Sequence, residues 1–159
     1  MKESSAGRFT GTFTLRPVGQ KRYLCFWTRS LYRFENDIDN PLTYHCPNGT
    51  SIRPRDGMTT DMGTVPRIAR IFISKDRYLK SYCIHDSGYD EGGFRVARYG
   101  SGAYRLIRVD RLVVDQQLRE CIEAQGGDRV TRNTIYACVR AGGMALWNKR
   151  HKGVEPCHK

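Results

Sequence analysis

His85 and Asp86 stand side by side in Tyr82-Cys83-Ile84-His85-Asp86-Ser87-Gly88-Tyr89, and Tyr89 follows four residues after the histidine. Residues four apart stack on one side of a helix while neighbours are turned by about 100°, so a helix sets His85 beside Tyr89 with Asp86 on the flank. These residue types can do chemistry together. A neutral imidazole accepts a proton or ligates a metal, and an adjacent carboxylate can hold a cation. The bland alternative is a partly buried histidine fixed by hydrogen bonds beside a solvated aspartate.

The elements that must position these groups follow from the spacing of apolar residues. Tyr78, Tyr82 and Cys83 recur at helical intervals and Gly92-Gly93 form a stop signal, which predicts a helix from about Asp76 to Tyr89. A second helix is predicted from Arg111 to Gln125, with Val114, Leu118, Cys121 and Ile122 as its apolar stripe and Gly126-Gly127 as its end. Asp115 breaks that stripe. It leans towards the core, where an unpaired carboxylate is costly, so it needs a partner: Arg111 one turn earlier, or a group on another helix, with His85 the obvious candidate. Asp128 is placed to cap a last helix from about Arg129 to Trp147, with Ile135, Cys138, Val139, Gly142 and Leu146 facing inward. Its small residues, Ala137, Ala141, Gly142, Gly143 and Ala145, predict close packing against the His-Asp helix or the Asp115 helix.

The N-terminal third reads as strands. From Arg8 to Leu15, Phe9, Phe13 and Leu15 alternate with Thr10, Thr12 and Thr14, the pattern of one half-buried strand. Tyr23 to Thr28 is a second β-rich run that Leu31 to Phe34 continues across a turn at Arg29-Ser30, and Asp37 to Pro41 is loop-like. Leu42 to Cys46 and Thr50 to Arg53 flank Pro47-Asn48-Gly49, a tight hairpin turn. Thr64 and Pro66 predict a short helix from Arg67 to about Phe72, and Asp61 before it either closes a turn or points into the site of His85. Glu91 to Gly102, glycine-rich and carrying Arg95, Arg98 and Tyr99, is a loop or short hairpin long enough to cover that site. The fold class is therefore α+β, a small N-terminal antiparallel sheet followed by a three- to four-helix part.

A chain of 159 residues fits one domain, divided into a strand-rich part (8–56), a helical part with the His-Asp motif (57–147) and a basic tail (148–159). It has no apolar run of about 18 residues and no start of signal-peptide form, so a soluble protein made in a host cytoplasm is expected. Lys and Arg outnumber Asp and Glu 27 to 16, a formal charge of +11 that favours acidic partners. Apart from Lys149, Arg150 and Lys152 the basic residues are scattered, which reads as a solvated surface rather than a nucleic-acid groove. None of the six cysteines lies in a C-x-x-C pair. Cys83, Cys121 and Cys138 sit in apolar helical patterns as small hydrophobes, and His45-Cys46, Cys83/His85 and Cys157-His158 would share a zinc ion only if the fold gathered them.

The order of motifs resembles the phage and prophage domain-of-unknown-function family 1353. The residues that carry the resemblance are Thr60-Asp61-Met62-Gly63-Thr64-Val65-Pro66-Arg67, His85-Asp86-Ser87-Gly88-Tyr89, Val114-Asp115 with Gly126, and Ile135-Tyr136-Ala137-Cys138-Val139-Arg140. Met62-Gly63 replace Phe-Ala, Thr64 replaces Ser and Val114 replaces Ala; the charged members are intact. The resemblance covers about 52–143 and implies phage origin, with the virion as a further location. Cys83-Ile84-His85-Asp86-Ser87-Gly88-Tyr89 is also similar to the His-Asp helix of secreted phospholipases of the A-two class. That resemblance implies a water activated by His85, calcium bound by Asp86, and Asp115 orienting the imidazole.

Two readings follow. In one, His85, Asp86 and Asp115 are the catalytic residues of a hydrolase-like site acting on an envelope component. Asp61, Tyr89, Arg67 and Arg111 support it, and Asp86 and Asp61 are the candidate ligands of a divalent cation, calcium or zinc. In the other, the protein is a non-enzymatic virion component of tail, connector or assembly type, contacting other virion proteins or an acidic surface. The same polar residues then form a network locking helices together, with Arg67 and Arg111 neutralising Asp61 and Asp115. A third class, a protein that sequesters an anionic ligand, would show a basic pocket without a general base.

Overall fold

The computed structural model describes residues 7–23, 27–61 and 76–151. The predicted helix over 67–72, with Thr64, Pro66 and Arg67, lies outside these residues, as do Cys25, Lys152 and Cys157. Eight strands and four α-helices are described: β1 (Arg8–Thr10), β2 (Phe13–Tyr23), β3 (Trp27–Asn36), β4 (Thr43–His45), β5 (Thr50–Arg53), β6 (Thr59–Thr60), α1 (Leu79–Glu91, led in by a 3-10 turn at Asp76–Tyr78), β7 (Gly93–Arg98), β8 (Arg105–Arg108), α2 (Arg111–Ala124), α3 (Arg129–Gly142) and α4 (Met144–Arg150). The architecture is α+β. One antiparallel sheet has the order β1-β4-β5-β7-β8 and a second the order β2-β3-β6.

The alternation from Arg8 to Leu15 is present, with Phe9, Phe13 and Leu15 half-buried and the threonines between them exposed. It belongs to two strands, however. Gly11 adopts a φ of 82°, a conformation that side chains with a Cβ resist, and the break sends β1 to the five-stranded sheet and β2 to the three-stranded one. The turn expected at Arg29-Ser30 is not there: both residues lie inside β3, opposite Lys21 and Gln20, and the register runs on to Tyr23 opposite Trp27. The β4–β5 hairpin turns as expected, with Asn48 Oδ1 accepting the Thr50 N–H at 3.0 Å.

The segment read as a cover over the site is a hairpin, β7–β8, but no lid. Ser51 to Arg53 pair with Ala97 to Arg95, so β7 is an interior strand of the sheet, and Phe94 and Ala97 are buried beneath it. The last helix also departs from its expected course. It is two helices meeting at Gly143, which leaves Gly142 and Leu146 exposed and turns Trp147 towards α1.

α1 is the centre of the molecule. Its Tyr82 joins Leu118, Ile122, Ile135 and Val139 of α2 and α3; its Ile84 and Tyr89 join Tyr44, Ile52, Phe94 and Val114; its Cys83 joins Phe34, Leu42 and Met58. A helix covered on nearly every side must satisfy its polar side chains internally. Ser87 Oγ accepts the Arg55 N–H at 2.8 Å, and Ser81 donates its backbone N–H to Gln125 Oε1 at 2.9 Å. The helix stops at Gly92, whose φ of 67° is the left-handed conformation common at helix ends.

Gly88 explains why the motif reads His-Asp-x-Gly-Tyr. A Cβ there would stand 2.7 Å from Val114 Cγ1 and 2.8 Å from Phe94 Cε1, so the bare backbone lets α1 press against α2 and β7. Gly88→Ala is expected to lower stability by about 1–3 kcal/mol through overpacking, despite the better helix propensity of alanine. Thermal melting checks this; a raised Tm would show that Val114 and Phe94 can move aside.

Candidate functional site

Asp115 lies on the apolar stripe of α2, and its residue is 0 % exposed. Four side chains converge on it. His85 Nε2 is 3.0 Å from Oδ1, the Tyr89 hydroxyl donates to the same oxygen at 2.9 Å, and Arg140 Nη1 of α3 donates to Oδ2 at 2.9 Å. Arg111 Nε stands 3.9 Å from Oδ2, and its two terminal nitrogens donate to the Arg140 carbonyl at 3.2 Å each. The expected partners of Asp115, His85 and Arg111, are both present. The arginine in hydrogen-bond contact is Arg140.

Helical spacing does the positioning. His85 and Tyr89, one turn apart on α1, have ring centroids 4.5 Å apart and reach the same carboxylate oxygen. Tyr89 is held in turn by α4, whose Trp147 meets its ring edge-on at 5.2 Å. His151 packs on Trp147 at 4.6 Å and donates from Nε2 to the Tyr89 carbonyl at 2.7 Å. The close approach needs Gly143, because a Cβ there would run into the Tyr89 hydroxyl.

The other face of the imidazole looks towards Asp86. His85 Nδ1 is 3.6 Å from Asp86 Oδ1, beyond direct hydrogen-bond range, and Asp86 Oδ2 accepts the Thr60 hydroxyl. Asp61 follows Thr60 directly at the end of β6. Among the described residues no three His, Cys, Asp or Glu side chains gather as a metal-holding group.

Burial disfavours the charged form of both members of the His85–Asp115 pair, and their mutual contact overcomes it. His85 loses from desolvation, but the Asp115 hydrogen bond and the negative charges of Asp86 and Asp115 leave its pKa above the ordinary histidine value. Asp115 likewise loses from burial. The bonds from His85, Arg140 and Tyr89 hold its pKa below the ordinary carboxylate value. Burial and the neighbouring Asp115 charge raise the Tyr89 pKa, so its hydroxyl stays a donor. Because an ionised Asp115 can only accept, His85 carries its proton on Nε2, and in the neutral ring the lone pair sits on Nδ1, on the Asp86 side.

Arg140, Trp147, His151 and Thr60 also belong to this arrangement. Arg140 offered a signal, as the one charged residue of the Ile135–Arg140 motif following inward-facing Val139. Trp147 and His151 had none, since their roles depend on the break between α3 and α4.

A family profile described as "Protein of unknown function (DUF1353)" matches residues 36–139, which span β4 to α3 and include His85, Asp86, Tyr89, Asp115 and Val139. No curated protein and no solved structure is detectably similar to the chain.

Removing Asp115 leaves buried cationic groups uncompensated, and Asp115→Ala is expected to cost about 3–5 kcal/mol in chemical denaturation. Arg140→Gln costs less, because the Arg140 side chain is 32 % exposed. The pair also has a pH signature. The His85 contribution is complete below the unfolded histidine pKa of about 6.5 and is lost as pH rises through the higher folded value. The Asp115 contribution is complete above the unfolded carboxylate pKa of about 3.9 and is lost as pH falls through the lower folded value. The cluster therefore stabilises most between about pH 4 and 6.5, and Asp115→Ala is expected to lose stability most in that window.

Proposed function

We propose a hydrolytic role for this chain, which belongs to the DUF1353 family of proteins of unknown function. His85 acts as the general base, Asp115 orients its ring and stabilises the imidazolium, and Tyr89 and Arg140 fix Asp115. The observation that carries the reading is the one-sided use of the imidazole: Nε2 is committed to a buried carboxylate at 3.0 Å, and Nδ1 is directed to the Asp86–Thr60 side. A water bonded to Nδ1 gives its proton to that nitrogen as its oxygen attacks a carbonyl carbon or a phosphorus atom. The same proton then passes to the leaving group, which restores the neutral ring. Asp86 borders the nitrogen and positions the water. The resemblance to phage and prophage proteins suggests esters, amides or phosphodiesters of a bacterial envelope as the substrate class.

A second reading rests on burial. His85 is only 6 % exposed and Asp115 not at all, and in this alternative the cluster is a polar lock joining α1, α2 and α3 of a non-enzymatic virion component.

The two readings separate in one set of assays. Wild type, His85→Gln and Asp115→Asn are tested on p-nitrophenyl esters, p-nitroanilides and bis-p-nitrophenyl phosphate, with melting curves in parallel. The hydrolytic reading predicts turnover of one class, a fall of about 10²- to 10⁴-fold in folded His85→Gln, and a rate that rises with pH through the raised His85 pKa. Folded wild type that turns over none of the three, or turnover unchanged in folded His85→Gln, sinks it. A large loss of Tm in both variants without wild-type turnover supports the polar lock.

A further inference from the structure

A cleft of about 520 Å³ opens on the five-stranded sheet, lined by Arg53, Arg95, Tyr104, Asp56, Asp37 and Ile38 among others, and none of the His85 cluster lines it. Its size is that of a small-molecule site. The charges around it are unevenly matched. Arg53 of β5 and Arg95 of β7 are register partners, and like charges placed directly opposite repel. Arg95 is neutralised: Nε donates to both Glu91 oxygens at 3.0 Å, and Nη2 donates to Oε1 at 2.7 Å.

Arg53 is not. Among the described residues no carboxylate pairs with it; its guanidinium lies over the Tyr104 ring, 4.2 Å from the centroid, and its Nε is buried without an acceptor. A buried donor left unmade is costly, more so on a charged group. The acids on the cleft wall have other work. Asp37 Oδ1 accepts the backbone N–H groups of Asp39 and Asn40, and its Oδ2 accepts the Thr12 hydroxyl. Asp56 Oδ1 accepts the Asn36 N–H at 2.7 Å. The contact with Tyr104 restrains the Arg53 guanidinium, whose fork suits a planar or tetrahedral oxyanion. Ile38, 92 % exposed, and the prolines Pro41 and Pro54 add apolar surface to the same cleft.

We propose that this cleft binds a small anionic ligand. Arg53 grips its carboxylate or phosphate group, and an apolar or planar remainder lies against Tyr104 and Ile38. The site is independent of the hydrolytic reading.

The test is an NMR titration of the full chain with phenyl phosphate and, separately, benzoate. Wild type is compared with Arg53→Gln and with Arg98→Gln, a strand β7 arginine that pairs with Thr50 and does not line the cleft. The expected result is saturable shifts at Tyr104 and Ile38 with at least one probe, weakened about tenfold or more in Arg53→Gln and unchanged in Arg98→Gln. The tighter probe identifies the ligand as a phosphate or a carboxylate. If Arg53→Gln does not fold, Arg53→Lys takes its place and is expected to lose most of the affinity, since an ammonium cannot present the fork. The proposal is overturned if neither probe saturates, if Arg98→Gln weakens binding as much as Arg53→Gln, or if Arg53→Lys binds as wild type does.

Discussion

A carboxylate with no access to water must be matched in both charge and hydrogen bonds, and Asp115 imposes that condition on the helical part of the protein. No single element meets it. α1 supplies the imidazole and the phenol, α3 supplies the Arg140 guanidinium, and Arg111 of α2 bridges from Asp115 back to the α3 backbone. The three helices are thus fixed by hydrogen-bond geometry as well as by the apolar cluster of Tyr82, Leu118, Ile122, Ile135 and Val139.

Such a network tolerates little slack, and glycine makes the necessary approach possible. Gly88 lets α1 lie against Val114 and Phe94, and Gly143 brings the α3–α4 junction against the Tyr89 hydroxyl. The clamp of Trp147 and His151 then holds the C-terminal end of α1, where His151 ties down the Tyr89 carbonyl. The consequence is chemical. Rigid packing decides which imidazole nitrogen holds the proton.

Much of this was readable from single residues. Asp115 interrupting an apolar stripe announced a buried carboxylate in need of a partner, and the four-residue step from His85 to Tyr89 placed two of its partners on one face. The Asp128 cap, whose Oδ1 accepts the Thr131 N–H at 2.8 Å, and the Gly92 stop are local signals that need no tertiary information. What was not readable depends on distant contacts. Periodicity continues through Gly143, so a single helix was expected where two meet. The alternation from Arg8 to Leu15 continues through Gly11, so nothing local shows that its halves join different sheets. β7 joins its sheet by pairing with β5, some forty residues earlier in the chain, which is why a glycine-rich hairpin resembled a cover. The cleft at Arg53 has the same origin, since only strand register sets Arg53 opposite Arg95.

The central claim, that Asp115 sets the charge and the tautomer of His85, is tested most directly by the ring nitrogens themselves. Long-range ¹H–¹⁵N NMR of the His85 ring across a pH titration, in wild type and Asp115→Asn, reports both. The account predicts an imidazole whose proton stays on Nε2 when neutral, whose Nδ1 titrates above the ordinary histidine pKa of about 6.5, and whose pKa falls when Asp115 loses its charge. A neutral ring protonated on Nδ1, or a pKa at or below the ordinary value that Asp115→Asn leaves unmoved, would contradict it.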